Sequence, residues 1–428
     1  METRNRSSQT RVFLFILAIF AALVAVRFFD GEINAQDTTI YAFNYGYGFI
    51  SRGLMGSILC LLDSLTAADL MNYETIYAIS IAGTAGFFVS LFAFYRALLK
   101  TCDANKYRLM QLLIVAVSIY AFPEFVSYEN FGRVDVFLAI LMLIGMITLV
   151  TEKAEWLIVP LCIVGMLLHQ GFIFMNINIL LVGLFYKMLL GEEAKSRRYY
   201  GILFAVTLTV CSALFIYFEF FSHVNGTDIY DTVKAMARQL SADGRQYAPG
   251  IINHEILGEG VFMDEWPYHV INYAETAEFV ILFLPYIVIA WRFCRNLVRS
   301  AGDMRHRLAC LAIVLGAWTV IPEMVLKIDY GRYVYEIVFY YLAVVMMVMT
   351  FEKTKEAGVV VEGDDVTVET GVTAGVRGIV DYAREHYLTA AFLIAYPMVM
   401  MPFLDVLIAN NISMNLVDWL ELAPPMTW

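Results

Sequence analysis

The 428-residue chain has few charged residues: Lys, Arg, Asp and Glu make up only 16% of it, whereas 60% is hydrophobic. It also lacks a polar stretch long enough to form a soluble domain of ordinary size between its hydrophobic segments. Because soluble domains carry about 25% charged residues, the composition indicates an integral membrane protein. The net charge of −11 is spread over several segments and argues against nucleic acid as a partner.

The chain is also poor in residue patterns that bind metals or nucleotides. Its six cysteines show no metal-ligand spacing and none is well placed for a disulfide in an outer loop, so they are interpreted as packing residues. A glycine-rich phosphate-binding loop with lysine is absent from the sequence. This absence fits an enzyme whose substrate is activated beforehand.

Apolar stretches of about 14 to 24 residues recur along the chain and predict an all-α, polytopic membrane protein. About eleven transmembrane helices (range 10–13) are predicted, at 12–29, 75–98, 109–122, 134–150, 156–168, 172–190, 199–221, 276–293, 309–321, 334–350 and 387–407. The first of them resembles the apolar core of a signal peptide and is interpreted as a retained anchor. Residues 1–428 are expected to form one polytopic domain.

The Lys and Arg residues predict the orientation, because cytoplasmic loops carry an excess of both. Placing the N-terminus in the cytoplasm also places most of the basic connecting segments there. The apolar stretch 48–63 is then predicted to be re-entrant or interfacial, because a crossing there would invert every later loop. The segment 222–275 becomes a long extracytoplasmic loop, and 351–386, rich in Gly, Val, Thr, Asp and Glu, becomes a flexible cytoplasmic loop.

One short pattern occurs twice, each time just beyond a hydrophobic stretch: Pro-Glu, six residues, then an aromatic residue, Gly and Arg, at 123–133 and 322–332. An arginine at the edge of a span is costly without an anionic partner, so the two copies suggest a shared anionic ligand. Ordinary salt bridges are the alternative, with Glu129 in the first copy and Asp329 or Glu336 in the second. The repeat itself could also be chance.

Other unusual polar residues fall on the same predicted side. Asp30 and Glu32 can hold a divalent cation, act as a base, or simply solvate the end of the first helix. Arg52 lies inside an apolar segment, where an unpaired charge is unfavourable by several kcal/mol. His169, between two apolar helices, is either a catalytic group or a hydrogen-bonded residue at a helix end.

The long outer loop combines tyrosines, a tryptophan and several carboxylates, among them Glu255. Such groups stack on sugar rings and bind hydroxyls, although tyrosine and tryptophan are also common in interfacial caps. Residues 228–241 predict an amphipathic helix that lies on the membrane. Its apolar side carries Ile229, Val233, Met236 and Leu240.

An acidic pair after the first span, an interfacial first outer loop and many spans resemble the multi-spanning glycosyltransferases of the GT-C class. That resemblance implies a lipid-phosphate-linked sugar donor and a carboxylate motif, which maps to Asp30 and Glu32 with Asp37 as the competing candidate. This chain has Asp-Gly-Glu where that class has adjacent or Asp-x-Asp carboxylates. A divalent cation is therefore a candidate cofactor, although the chain does not carry the full motif that binds it in that class.

The chain is also similar to bacterial capsule and exopolysaccharide polymerases of the O-antigen type. Those proteins hold a polyprenyl pyrophosphate with outward-facing arginines. The arginines that this resemblance assigns to the donor phosphates are Arg52, Arg133 and Arg332.

Together these patterns predict a glycosyltransferase or polysaccharide polymerase at the outer face of the bacterial cytoplasmic membrane. Its partners would be a polyprenyl-linked sugar donor, a glycan or lipid-linked acceptor, and membrane lipids. The alternative is a transporter or flippase of lipid-linked glycans, which should carry charged or helix-breaking residues near the bilayer midplane. The candidate catalytic residues are Asp30, Glu32, Asp37 and His169, and the candidate supporting residues are Glu124, Asp135, Glu323 and Asp329.

Overall fold

The computed structural model describes residues 32–66, 68–102, 106–107, 109–111, 113–114, 131–191, 193–222, 224, 226–258, 284–322, 330–352 and 372–386. Every regular element in these ranges is a helix, which confirms the all-α class. The predicted spans 12–29 and 387–407 lie outside the described residues, as does most of 109–122.

The first described elements are short and polar at their ends. α1 is Ala35–Ile40, a 3-10 turn follows at Tyr45–Tyr47, and α2 is Gly53–Thr66. Asn34 caps α1, because its side-chain oxygen accepts a hydrogen bond from the backbone N–H of Asp37 at 2.9 Å. At 14 residues α2 is about 21 Å long, too short to cross a hydrocarbon core about 30 Å thick. The same limit applies to other helices at predicted spans, such as Ile177–Leu190, so the interfacial or re-entrant interpretation of 48–63 stays a prediction.

The remaining helices occupy the described parts of the predicted spans and of the long outer loop. In chain order they are α3 Tyr73–Thr101; α4 Asp135–Thr151; α5 Ile158–Leu168, after a 3-10 turn at Glu155–Leu157; α6 Phe172–Met175; α7 Ile177–Leu190; α8 Ala194–Phe220; α9 Thr227–Leu240; α10 Pro249–Ile252, continued by a π-helical turn at Asn253–Leu257; α11 Leu284–Ser300; α12 Met304–Gly316, continued by a 3-10 turn at Ala317–Val320; α13 Tyr330–Phe351; and α14 Val372–Glu385. The predicted helix break around His169 is therefore present.

α4 and α7 form the centre of the bundle. α4 packs against α3, α5 and α7, and α7 packs in turn against α8, α12 and α13. Gly183 on α7 permits this approach, since a Cβ there would lie 2.7 Å from Met347 Cε and 2.9 Å from Leu149 Cδ1. Small residues at helix crossings are typical of membrane bundles, where close backbone approach replaces the hydrophobic effect between helices.

The helix ends fall into two groups at opposite ends of the bundle. At the cap end, residues 32–52 and 226–258, together called the cap, meet the starts of α3 and α4. There the Tyr73 hydroxyl accepts from the Ile33 N–H at 3.0 Å. At the loop end, the ends of α4 and α7 meet the starts of α5 and α8. The predicted topology requires such a division, with the cap end outside.

Two described helices, Tyr73–Thr101 and Lys195–Phe220, are long and apolar enough to cross a membrane by length and composition. Their most apolar windows are only 33% and 22% buried, which is unlike the core helix of a soluble protein. Large apolar side chains are also exposed on α8, α11 and α12, including Ile202 (57% exposed), Trp291 (69%) and Leu315 (54%). These helices thus present apolar surface where a soluble bundle would be polar.

The amphipathic helix predicted over 228–241 forms as α9, but its apolar side has a different partner from the one expected. Val233, Ala237 and Leu240 of α9 are buried in a cluster that includes Ile40 of α1. The expectation that this side lies on the membrane is therefore wrong, because the cap itself covers it.

The expectation of a flexible loop over 351–386 is wrong for its last part, which forms α14. The Glu352 carboxylate accepts hydrogen bonds from the backbone N–H groups of Val372 at 2.9 Å and Thr373 at 3.3 Å, and so caps the start of this helix. α14 then packs along α11. Residues 353–371 lie outside the described part of the chain.

Candidate functional site

Asp37 and Arg133 form an ion pair at the cap end. The Asp37 Oδ1 lies 3.5 Å from Arg133 Nε, and the two side chains are only 1% and 18% exposed. α1 presents the carboxylate, and Arg133 stands just before α4. The pair therefore joins the cap to the bundle across 96 positions of sequence (133 minus 37).

Gly132 fixes the direction in which Arg133 enters α4. Its φ is +98°, and a Cβ there would lie 2.5 Å from Ile33 Cγ2. Its carbonyl accepts a hydrogen bond from the Tyr41 hydroxyl at 3.1 Å. In the first copy of the repeated pattern the aromatic-Gly-Arg part is thus a tight turn, because only glycine fits this conformation without strain. In the second copy the corresponding residues, 330–332, are the first residues of α13.

Arg52 forms the second ion pair of the cap end. Its Nε lies 3.3 Å from Glu255 Oε1, and the side chains are 14% and 2% exposed. His254 Nδ1 is 3.3 Å from the same carboxylate oxygen. Glu255 lies in a π-helical turn, and Arg52 has φ +60°, a left-handed conformation that is uncommon for a residue with a side chain. Strain of this kind is frequent at ligand sites.

The break between α5 and α6 brings His169 and Gln170 to the same end. Gln170 Oε1 accepts a hydrogen bond from the Ser51 hydroxyl, next to Arg52. His169 Nδ1 accepts from the Gly171 N–H at 2.9 Å, so a neutral ring carries its proton on Nε2. This contact supports the helix-end interpretation of His169 and leaves Nε2 as its only ring donor.

Tyr45 ties the cap to the end of α5. Its hydroxyl donates to the Leu167 carbonyl at 3.4 Å, and burial raises the pKa of Tyr45 to about 12. The phenol therefore stays protonated and remains a donor at neutral pH.

The two ion pairs belong to one packed unit. α9 packs along α1, and the Ala248 N–H donates to Thr39 Oγ1 at 3.0 Å. Thr39 is two residues from Asp37, and Ala248 begins the segment that carries Glu255. The two carboxylates are therefore held by segments that contact each other.

The remaining predicted site residues have different positions. Glu32 is exposed at the start of the cap, and Asp135 lies in the first turn of α4, where its charge favours the helix dipole. Arg332 is in α13, but its side chain is outside the described part of the structure. The other four, Asp30, Glu124, Glu323 and Asp329, lie outside the described residues, as does Glu129.

Two partners in this arrangement were not evident from the sequence. Glu255 was one of many carboxylates in the outer loop, and Gln170 had no assigned role. A polar amide beside the predicted helix break was the signal that the sequence offered for Gln170. Among the described residues, no group of three or more His, Cys, Asp or Glu side chains is arranged to hold a metal ion.

No protein-family model, curated protein or solved structure matches this chain. The chemistry of the cap end therefore has to be argued from its own residues: two shielded guanidinium groups, each beside a buried carboxylate, at one end of an apolar helix bundle.

Proposed function

We propose that the chain is a polytopic membrane glycosyltransferase or polysaccharide polymerase that acts at the outer face of the membrane. Its donor is a sugar linked to polyprenyl phosphate or pyrophosphate. The observation that carries this proposal is the pair of shielded arginines at the cap end, Arg52 and Arg133, each held beside a carboxylate from a distant segment. The exposed apolar sides of α3 and α8 support the membrane location.

The donor has three parts that need three environments. Its polyprenyl tail requires an apolar surface, its phosphate lies at headgroup level, and its sugar is in water. Arginine suits the middle part, because a guanidinium group binds phosphate oxygens through two parallel hydrogen bonds. Arg52 and Arg133 lie where the apolar helices end and the polar cap begins.

Asp37 is the candidate general base. In the structure its carboxylate is held by Arg133, and a donor phosphate that binds Arg133 competes for the same guanidinium group. Release from that contact leaves the carboxylate able to take the proton of the acceptor hydroxyl. The hydroxyl oxygen then bonds to the anomeric carbon, and the bond from that carbon to the phosphate oxygen breaks. Polyprenyl phosphate or pyrophosphate leaves with the electron pair, stabilised by the arginines.

The test is release of polyprenyl phosphate or pyrophosphate by the purified chain from polyprenyl-linked sugars extracted from the source membrane. The variant Asp37→Asn/Arg133→Gln removes both charges together, so neither is left buried alone. We expect at least about 100-fold loss of release, the usual effect of losing a base or an electrostatic stabiliser.

The matched control is Glu152→Gln/Lys187→Met, which removes the ion pair of 3.0 Å at the loop end. This variant should retain release. Full activity of the cap-end variant, or equal loss in both variants, would exclude the proposed site.

The orientation has a separate test. Single cysteines in place of Asp243, in the cap, and Asp303, between α11 and α12, occupy exposed positions at opposite ends. A membrane-impermeant thiol reagent applied to intact cells should label the first and not the second. Labelling of both, or the reverse pattern, contradicts the proposed outer location of the cap.

A flippase of lipid-linked glycans is the second candidate, and one feature favours it. α7 begins after a break at Asn176, and α12 changes to a 3-10 turn after Gly316. Asn178 joins the two breaks, since its amide donates to the Gly316 carbonyl at 3.1 Å and to Thr319 Oγ1 at 3.0 Å. Interrupted helices that meet are typical of transporters. A flippase would move the labelled donor across proteoliposomes without releasing polyprenyl phosphate.

A further inference from the structure

The loop end contains a groove of about 550 Å³ between α7, α8 and α12. Three arginines line it, Arg197 and Arg198 from α8 and Arg305 from α12. Its apolar wall includes Leu189, Ile202 and Ala205. We propose that this groove binds the headgroup phosphate of an anionic phospholipid, with one acyl chain lying along α8.

The electrostatics of α8 favour an anion at this place. The start of a helix carries a partial positive charge, yet the first turn of α8 contains no acidic residue and places Arg197 and Arg198 there. Its N-cap residue Glu193 makes no capping hydrogen bond through its side chain. Arg305, near the start of α12, adds a third positive charge. An anion in the groove would therefore be attracted by the start of α8 and by all three guanidinium groups, whereas the start of α12 is already capped by the Asp303 carboxylate.

The three arginines of the groove differ in their exposure and in their hydrogen bonds. Arg197 is half-buried, and its guanidinium Nη1 donates to the Gly191 carbonyl at 3.1 Å, which holds that group against the end of α7. Arg198 and Arg305 are exposed, and in the part of the chain that the structure describes neither guanidinium group makes a hydrogen bond or an ion pair. Two guanidinium groups are consequently available to a ligand, and a third borders it.

The floor of the groove and the apolar surface of α8 beyond it decide which kind of anion fits. At Gly201, an added Cβ would lie 3.3 Å from Met188 Sδ, so the absence of a side chain keeps the floor open. Beyond it, Ile202 and Val206 are 57% and 40% exposed along α8. A free phosphate or an acidic peptide would use the arginines only. A phospholipid uses both the arginines and the apolar side of α8, as in the basic pockets that bind anionic lipids between membrane helices.

The experiment is native mass spectrometry of the full chain in detergent with added phosphatidylglycerol, phosphatidylcholine or inorganic phosphate. We expect retention of phosphatidylglycerol above phosphatidylcholine. Arg198→Ala/Arg305→Ala should weaken phosphatidylglycerol retention at least about tenfold, as expected for the loss of charge-assisted contacts. The matched control Arg295→Ala/Arg299→Ala removes two exposed arginines of α11 outside the groove and should retain the lipid.

A third variant tests the apolar wall without changing charge. Ala205→Trp fills the groove and should reduce phosphatidylglycerol binding while leaving all three arginines in place. Equal retention of phosphatidylcholine, equal loss in the control double variant, or full binding by Ala205→Trp would each overturn the proposal. Unchanged melting midpoints confirm that the variants are folded. The outcome is independent of the proposed glycosyl transfer, because the groove is at the opposite end of the bundle from the cap.

Discussion

At the cap end, charged side chains pair across segments that are far apart in sequence, whereas at the loop end they mainly bind helix termini. Lys106 donates to the carbonyls of Met349, at 3.2 Å, and Glu352, near the end of α13. The Glu352 carboxylate in turn caps α14. Each of these contacts satisfies backbone groups that a helix end would otherwise leave without an intrahelical partner.

The pairs at the two ends also differ in exposure. Glu152, which binds Lys187 at the loop end, is 64% exposed, whereas Asp37 and Glu255 are 1% and 2% exposed. An ion pair whose carboxylate is removed from water contributes little net stability, because desolvation offsets the attraction. Several loop-end charges therefore have a structural explanation at helix ends, whereas ligand binding by the cap-end charges stays a proposal.

The largest expected difference between the two ends is in the loss of stability when the cation of each ion pair is replaced by methionine in a separate variant. Arg133→Met leaves the Asp37 carboxylate buried without its arginine, and we expect a loss of about 3–5 kcal/mol in unfolding free energy. Lys187→Met keeps the packing of the stem and leaves Glu152 facing solvent, so we expect a loss of about 1 kcal/mol or less. Denaturant titration in mixed micelles measures both.

A second substitution checks the cause of that difference. Asp37→Asn added to Arg133→Met removes the buried negative charge that has lost its arginine, and it should recover a large part of the lost stability. If the two methionine variants were equally stable, or if Asp37→Asn gave no recovery, the distinction between the two ends would fail.

The backbone offers a finer comparison, because both ends have non-glycine residues with positive φ. Arg52, in the cap, has φ +60°, and Glu152 and Ala154, at the loop end, both have φ +54°. Arg52→Gly and Arg52→Ala both remove the ion pair, but only glycine relieves the strain, so Arg52→Gly should be the more stable by about 1 kcal/mol. Ala154→Gly should be neutral or stabilising by up to about 1 kcal/mol.

These variants also distinguish strain from function. Because both Arg52 variants lack the guanidinium group, both should lose release of polyprenyl phosphate equally, despite their different stabilities. Ala154→Gly should retain it. Recovery of activity in Arg52→Gly would show that backbone geometry, and not the charge, is required at this position.

Hydrophobic runs predicted the positions of the long helices well, because burial and lipid contact both require continuous apolar faces. The stretch 75–98 became Tyr73–Thr101, extended at its start because Asn72 caps the helix. The stretch 134–150 became Asp135–Thr151. The helix over 372–385 was missed, since its apolar residues, such as Val372 and Val376, were outweighed by a Gly- and Thr-rich composition, and its Glu352 cap is distant in sequence.

The candidate site could be predicted only in part. Arg52 and Arg133 were singled out because a charge inside or beside an apolar run is costly and needs a reason. Their partners were not predictable, because the contacts depend on how α1 and the π-helical turn at Asn253–Leu257 fold over the bundle. The amphipathic pattern of α9 predicted its buried side correctly, yet could not say that protein covers that side instead of lipid.

The smallest expected effect is on thermal stability, and it concerns two exposed aspartates, one at each end of the bundle. Asp243 accepts hydrogen bonds from the N–H groups of Arg245 at 2.9 Å and Gln246 at 3.1 Å, which lower its pKa from the usual 3.8. Asp303 accepts a hydrogen bond from the backbone N–H of His306 at 2.8 Å, and the His306 ring Nδ1 also lies 2.8 Å from its Oδ1. Both contacts lower the pKa of Asp303.

A carboxyl group whose pKa is lower in the folded state stabilises the fold above its unfolded pKa and loses that effect as the pH falls. Asp243→Asn and Asp303→Asn should therefore lower the melting midpoint slightly at pH 7, by less than about 2 °C, since both groups are exposed. The gap to the unmodified chain should close below about pH 4. Because hydrogen bonds to backbone N–H groups act in the same way at both ends, the two gaps should be similar, and a gap that widens toward low pH in either variant would contradict the assigned cause.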